Sequence, residues 1–232
     1  VSGRLYGLGI GPGDAELLTL KAVRLLGQVA VVAYPIPASG VSLARSIVAD
    51  HLPTGIVELP LPLPFDGKGG AEAAYDQAAA AIAAHLDAGR DVAALCEGDP
   101  FLYGTFIHLH VRLGRRYRVE VVPGVSSVMA AAALAGMPLA ARDDALVIIP
   151  AVIEEAAIER LLATAQAAAI LKVGRHLGKV RAVLARLGLE DSAICVERAG
   201  QPGESVRPVA GLAEAPYFAV ILVHKDRPPC RA

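Results

Sequence analysis

The chain of 232 residues lacks the features that mark several large protein classes. Its three cysteines, Cys96, Cys195 and Cys230, form no Cys-x-x-Cys pair and no Cys/His zinc spacing, so neither a metal site nor a disulfide framework is expected. Cys96 and Cys195 fall in apolar runs that read as buried strands, and a reduced, cytoplasmic protein is the simplest expectation. Excess charge is also missing: Lys and Arg number 22 against 23 Asp and Glu, a net charge of −1. Without a basic field the chain is expected to hold no nucleic acid and no membrane, and an anionic ligand must be met by local side chains. Long hydrophobic runs are absent as well. The longest apolar stretch, 128–141, is interrupted by Pro138 and is too short to span a bilayer, and the segment 4–10 has no signal-peptide core. Cys230 stands third from the end, so the prenylation box also fails.

Apolar mass, by contrast, is plentiful at 54%, much of it alanine, and suffices for one large α/β domain or two small ones. Strand-like runs at 5–10, 29–34, 56–59, 92–96 and 119–122 alternate with helical patterns at 15–27, 42–51, 71–88 and 101–113. A second set has strands near 146–150, 168–173, 193–197 and 217–224 and helices near 125–135, 154–165 and 176–187. The alternation of the first set predicts mainly parallel strands, and the whole pattern predicts two α/β domains, 1–116 and 117–232, divided at the basic segment 115–118. Pro60, Pro62 and Pro64 read as an extended loop after a strand, and the alanines of 71–88 as helix formers.

Three glycine-bearing turns each carry a strand into a helix. The first, Gly7-Leu-Gly-Ile-Gly-Pro-Gly-Asp14, invites comparison with a dinucleotide loop, but the third glycine of the GxGxxG spacing falls on Pro12 or Asp14. The second strand ends in Ala33 and Tyr34, so the acidic ribose partner is missing too. Gly174-Arg-His-Leu-Gly-Lys is one residue short of a Walker loop and has no Ser or Thr after the lysine. Local rules make Asp14 a helix cap. In Glu97-Gly-Asp-Pro100 they make Asp99 a cap and Pro100 a first helical residue. The third turn is Pro123-Gly-Val-Ser-Ser127. Turns after strand ends place backbone groups along one sheet edge, where open α/β folds bind ligands.

Together these turns, with Leu17-Leu-Thr-Leu-Lys-Ala22, resemble the signature loops of the tetrapyrrole methyltransferase family in order and spacing. The resemblance covers nearly the whole chain up to Lys225. The segments Tyr34-Pro35, Ser42-Leu-Ala-Arg-Ser-Ile47, 59–65 and Tyr75-Asp76 resemble the branch acting on C20 of precorrin-2. So do Gly89-Arg-Asp-Val92, Glu97 to Tyr103, Lys172-Val-Gly-Arg175 and Val196-Glu-Arg-Ala199. Gly104 departs from it, standing where that branch is expected to have Ser.

The resemblance implies two α/β domains with a cleft, a homodimer, S-adenosyl-methionine as methyl donor, no metal requirement, and a tetrapyrrole acceptor in cobalamin biosynthesis. It implies that Pro12 packs at the donor, that Glu97, Gly98, Asp99 and Leu102 surround its methionine part, and that Ser126 and Ser127 hydrogen-bond to it. Val173 and Ala199 would line the adenosine pocket. Methyl transfer from a sulfonium needs positioning above all, and a base to remove the acceptor's proton. Tyr103 and His108 are candidates for that role. Arg45, Arg112, Arg142, Arg175 and His176 are candidates for the acceptor's carboxylates. His108-Leu-His110 is discounted as a metal pair because i and i+2 diverge on a helix. The alternatives are the cobalt complex as acceptor, a uroporphyrinogen or diphthine type of methyltransferase, and a non-catalytic α/β protein whose turns are only caps.

Overall fold

The computed structural model describes residues 1–37, 40–63 and 71–226, so Pro64, Cys230 and the end of the 59–65 segment lie outside the described residues. The chain divides into two compact units, Val1–Ser126 and Ser127–Ala232. The division expected at 116/117 falls short of this point because the strand 119–122 pairs with the first strand of the chain.

In the first unit β1 (Leu5–Gly9), β2 (Val31–Ile36), β3 (Val57–Pro62), β4 (Val92–Cys96) and β5 (Val119–Val122) form one parallel sheet, ordered β3-β2-β4-β1-β5. Both faces are covered, which explains why the inner strands read as unbroken apolar runs. Helices α1 (Leu20–Leu26) and α2 (Leu43–Ile47) pack on one face against Tyr6, Leu8, Ala93 and Leu95. On the other, α3 (Ala71–Asp87) and α4 (Phe106–Leu113) pack against Leu5, Val92, Ala94 and Cys96. Neighbouring strands β1 and β4 therefore send their following helices, α1 and α4, to opposite faces. Connections that part in this way leave a crevice beyond the carboxyl ends of the two strands.

Pro60 and Pro62 belong to β3 and not to a loop. The strand lies at the sheet's edge, and Val57 and Leu63 donate to Ala30 and Ile36 of the β2 side. Residues of the opposite parity point their nitrogens away from β2, so prolines there cost no ladder bond.

The second unit holds α5 (Ser127–Ala135), β6 (Leu146–Pro150), α6 (Glu155–Thr164), β7 (Ala167–Leu171), α7 (Leu177–Arg186), β8 (Ala193–Glu197), β9 (Ser205–Pro208) and β10 (Ala219–His224). Its sheet is ordered β6-β7-β10-β8-β9. It is mixed, because β10 runs antiparallel to both β7 and β8. Helix α5 covers one face, and α6 and α7 the other.

Candidate functional site

The crevice of the first unit is built from backbone. Gly11, in a left-handed conformation (φ 77°), exchanges hydrogen bonds with Gly98: Gly98 N donates to Gly11 O at 2.7 Å and Gly11 N to Gly98 O at 3.4 Å. This ties the loop after β1 to the loop after β4. The loop after β5 closes on both. A Cβ at Gly9 would stand 2.4 Å from Gly124 N, and one at Gly124 would stand 2.1 Å from Gly98 O. Three loops thus meet at contact distances that only glycine permits.

Asp99 locks the assembly. Its Oδ1 accepts from Phe101 N at 2.9 Å and its Oδ2 accepts from Gly124 N at 3.1 Å. The cap expected of Asp99 is therefore a different device, a local turn plus a strut to the next loop. No helix starts at Pro100, and α4 begins only at Phe106. Residues between them turn through Tyr103, whose φ of 56° cannot continue a right-handed helix. Likewise Asp14 caps the 3-10 turn Ala15–Leu17 by accepting from Glu16 N, and α1 takes its own cap from Thr19.

These bonds also bear on what the loops can hold. The N–H groups of Gly11, Gly98 and Gly124 are engaged inside the protein, so they form no nest for a phosphate. The Glu97 carboxyl stands where β4 passes into its loop. Burial pushes that carboxyl above the ordinary range, although backbone N–H groups of Glu97 itself and of Ala44 donate to it and pull the other way. Gly104 has a physical reason as well: a Cβ there would stand 2.6 Å from Cys96 Sγ and 2.6 Å from Pro100 O. Burial raises the Cys96 thiol to about 11 and the Cys195 thiol to about 12, so both are inert strand residues.

Of the expected donor-binding residues, Pro12, Glu97, Gly98, Asp99, Leu102 and Ser126 belong to the first unit and border its carboxyl-edge loops. Ser127, Val173 and Ala199 belong to the second unit, where Ser127 opens α5 and Val173 and Ala199 are buried near the ends of β7 and β8. Tyr103 is exposed in the loop after Asp99. His108 lies on α4 and stacks on Tyr75 of α3, with ring centroids 4.2 Å apart, while His110 meets Phe101 edge-on at 5.2 Å. The two histidines diverge, and no group of three metal-ligating side chains occurs among the described residues.

The candidate carboxylate binders divide. Arg45 forms a two-pronged pair with Glu58, which also accepts from Tyr34 Oη and is held below its usual range chiefly by Arg45. Arg112 pairs with Glu72 and Asp76. Both guanidinium groups are thus engaged. Arg142 precedes β6 and lies at the sheet edge that carries His224 and Asp144, opposite the carboxyl ends of β7 and β8. Arg175 and His176 follow β7 in the 3-10 turn Gly174–His176, and Arg175 Nε donates to His176 Nε2 at 3.3 Å.

A family model described as Tetrapyrrole (Corrin/Porphyrin) Methylases matches residues 4–215. The chain belongs to this family. The methylase chain is 46% identical to a precorrin-2 C(20)-methyltransferase from Sinorhizobium sp, over 97% of its own length and 98% of that protein. It is 36% identical to a cobalt-precorrin-2 C(20)-methyltransferase from Salmonella typhimurium, over 97% of its own length and 98% of the relative's. Among solved structures it resembles the uroporphyrin-III C-methyl transferase from Thermus thermophilus complexed with S-adenosyl homocysteine. The TM-score is 0.71 and the identity 27%, covering 96% of this chain and 92% of that one. The matched residues, 4–215, include the three loops that meet at Gly9, Gly98 and Gly124.

No signal in the sequence points to the Asp99–Gly124 bond, which joins residues far apart in the chain. The pairing of Glu97 with Ala44 is equally hidden there.

Proposed function

We propose that this protein transfers a methyl group from S-adenosyl-methionine to C20 of precorrin-2, giving precorrin-3A in cobalamin biosynthesis. The observation that carries the reading is the 46% identity to the precorrin-2 enzyme over almost all of both chains. The lower identity, 36%, to the relative acting on the cobalt complex favours the metal-free ring as acceptor.

When bound, the donor supplies an electrophilic methyl group on a sulfonium, and its leaving group is neutral. The chain's own part is to bind and orient. Pro12, Gly98 and Leu102 supply close, mostly apolar walls, and Asp99 keeps the loops after β4 and β5 at fixed spacing. Burial disfavours charge on the Glu97 carboxyl, and a cationic donor bound beside it would favour the ionised form. Ser126 and Ser127 offer hydroxyls to its polar atoms, and Val173 and Ala199 offer apolar contacts for its adenosine. With the reacting atoms held in near-attack geometry, orientation supplies most of the rate. The acceptor carbon must then lose a proton. Tyr103, exposed in the loop after Asp99, is better placed to pass that proton to water than His108, which is stacked on Tyr75.

A carbon-13 methyl donor tests the reading. The product's NMR spectrum is expected to carry the label on the C20 meso carbon, with the metal-free ring turned over faster than its cobalt complex. A label on a pyrrole β-carbon would sink the assignment, and a preference for the cobalt complex would move the enzyme to that acceptor. Tyr103→Phe is expected to lower kcat without changing donor affinity, and His108→Gln to leave kcat within about twofold. An unchanged kcat in Tyr103→Phe removes Tyr103 from the reaction.

A further inference from the structure

The first unit holds a carboxyl withdrawn from water with no cation of the protein against it. Glu97 directly follows β4, one residue before the Gly98 that bonds to Gly11 and two before the Asp99 that accepts from Gly124 N. It therefore stands at the junction of the three loops, beyond strand ends whose following helices part to opposite faces of the sheet. Burial dominates its surroundings, followed by the main-chain N–H groups of Glu97 itself and of Ala44, and no Lys, Arg or His contributes. The cations of the neighbouring elements are engaged elsewhere. Arg45 of α2 forms its two-pronged pair with Glu58, which Tyr34 of β2 also joins, and Lys21 of α1 is bonded to Glu120. The other titratable groups of these loops bring no positive charge: Asp14 and Asp99 accept from main-chain N–H groups, and Tyr103 follows in the same loop. The Cys96 thiol, held at about 11, stays protonated, with the charge of Glu97 among the causes.

Part of the carboxyl's task is local. Ala44 is fully buried in the first turn of α2, so its N–H, which has no partner within the helix, needs an acceptor, and Glu97 supplies one. The Ser42 hydroxyl does the same for Arg45 N at 3.2 Å. An amide oxygen would serve Ala44 as well with no charge to desolvate, and α2, five residues long, has little dipole to reward one. An ionisable group kept in such a place points to a use for its charge.

Resting on S-adenosyl-methionine as the methyl donor, we propose that Glu97 senses the charge of the ligand: it meets the cationic donor as a carboxylate, giving up a proton on binding, and the neutral thioether product as a carboxylic acid. The exchange balances. Donor entry releases one proton to water and leaves an ion pair where a neutral acid stood. Once transfer has neutralised the sulfur, the carboxylate is again desolvated without a counter-ion and regains a proton from water. The site thereby prefers donor to product, and the preference rises with pH, because in acid a proton must be displaced before the pair can form.

Calorimetry tests this without turnover, at about pH 6, where the amino groups of the ligands stay charged. Each ligand is titrated in two buffers of different ionisation enthalpy, so that the difference in heat counts the protons released. The ligands are S-adenosyl-methionine, sinefungin, which carries an ammonium in place of the sulfonium, and S-adenosyl homocysteine, whose sulfur is neutral. The wild type is expected to release on the order of half a proton with either cation and none with the homocysteine compound. Its preference for S-adenosyl-methionine over S-adenosyl homocysteine should rise about fivefold from about pH 5 to about pH 7. Glu97→Gln is expected to release no proton with any ligand and to bind both cations about tenfold more weakly. It should hold S-adenosyl homocysteine within about twofold, which also shows that the variant is folded. Equal proton release with all three ligands, no release by the wild type, or undiminished release in Glu97→Gln overturns the proposal. An equal loss of affinity for all three in the variant overturns it too and leaves Glu97 as the cap of α2. Failure of all three ligands to bind the wild type would defeat the donor and this proposal with it. A methyl label on the wrong carbon would defeat only the acceptor and leave this result standing.

Discussion

The two units solve the same problem, turning the chain at the end of a strand, with opposite residues. In the first, the loops after β1, β4 and β5 turn through glycine, and their backbones touch: an added Cβ at Gly124 would stand 2.1 Å from Gly98 O and 2.8 Å from Gly9 Cα. In the second, the turns after β7 and β8 begin with Lys172 and Arg198 at positive φ. Where backbone must meet backbone there is no room for a side chain, and glycine is obligatory. Where only the direction of the chain must change, a side chain can be kept at a cost of about 1 kcal/mol. The first arrangement brings main chain into contact across three loops, and the second leaves long side chains at the ends of two strands.

The sharpest way to break the comparison is Gly124→Ala. Its methyl would meet backbone on two sides, and backbone cannot rotate away as a side chain can. The expected loss is about 3 kcal/mol of stability in the first unit, at the upper end for overpacking. Donor binding should fall by more than tenfold, since the loops after β1 and β4 must part. Urea unfolding and calorimetry check both. Wild-type behaviour would mean that the three loops are not in contact.

Asp99→Ala comes next. Loss of a simple cap costs about 1 kcal/mol. Here two acceptors disappear, and one of them spans from the loop after β4 to the loop after β5. Affinity for S-adenosyl homocysteine is expected to fall about tenfold, equivalent to about 1.4 kcal/mol. Asp99→Asn should rescue only in part, because an amide presents one oxygen where two N–H donors converge. A variant that loses stability but keeps full affinity would show that the strut is structural alone.

Much of this contrast is legible in the amino-acid sequence alone. The strands 92–96, 119–122, 146–150 and 193–197 have the bounds that their apolar runs suggest, and in 92–96 and 193–197 burial on both faces makes that signal unambiguous. The failures cluster at edges and turns. Ser205–Pro208 escapes notice because a short, half-polar edge strand has no such run, and β3 is longer than its apolar run because prolines discourage a strand reading. Asp99-Pro100 has the grammar of a helix start, yet the helix waits until Phe106. The tertiary bond to Gly124 overrides that local preference. For the site, residue types and spacing locate the three loops, but not that Arg45 and Arg112 are already paired with carboxylates of their own unit. Those pairings join residues from different elements, and single-sequence reasoning has no access to them.

Gly104→Ala probes a milder version of the glycine rule. Its Cβ would meet Cys96 Sγ and two backbone carbonyl oxygens, those of Pro100 and Asp99. A loss of about 2 kcal/mol is expected. Trimming the sulfur in the double variant Cys96→Ala with Gly104→Ala should recover part of it, because the carbonyl contacts remain. Additive losses in that cycle would show that the thiol is not what confines position 104.

The smallest effect is expected from Glu97→Gln, and it is read against pH. Burial lifts the carboxyl's folded value above its unfolded one, so the folded protein holds the proton more tightly than the unfolded chain. Stability attached to this group is therefore fully present below the unfolded carboxylate value and is lost as pH rises through the folded one. Glutamine keeps an oxygen to accept from Ala44 N while carrying no charge to desolvate. The variant should match the wild type in acid and exceed it slightly near neutrality, the difference opening across the carboxylate window. If Glu97 also offsets the positive charge of the donor, the same variant should bind S-adenosyl-methionine less well near neutrality but bind the uncharged S-adenosyl homocysteine about as before. That split cannot come from a change in packing, which both ligands would feel alike. Equal losses for the two ligands would confine Glu97 to holding α2, and a stability gain that persists in acid would show that burial of charge is not its cause.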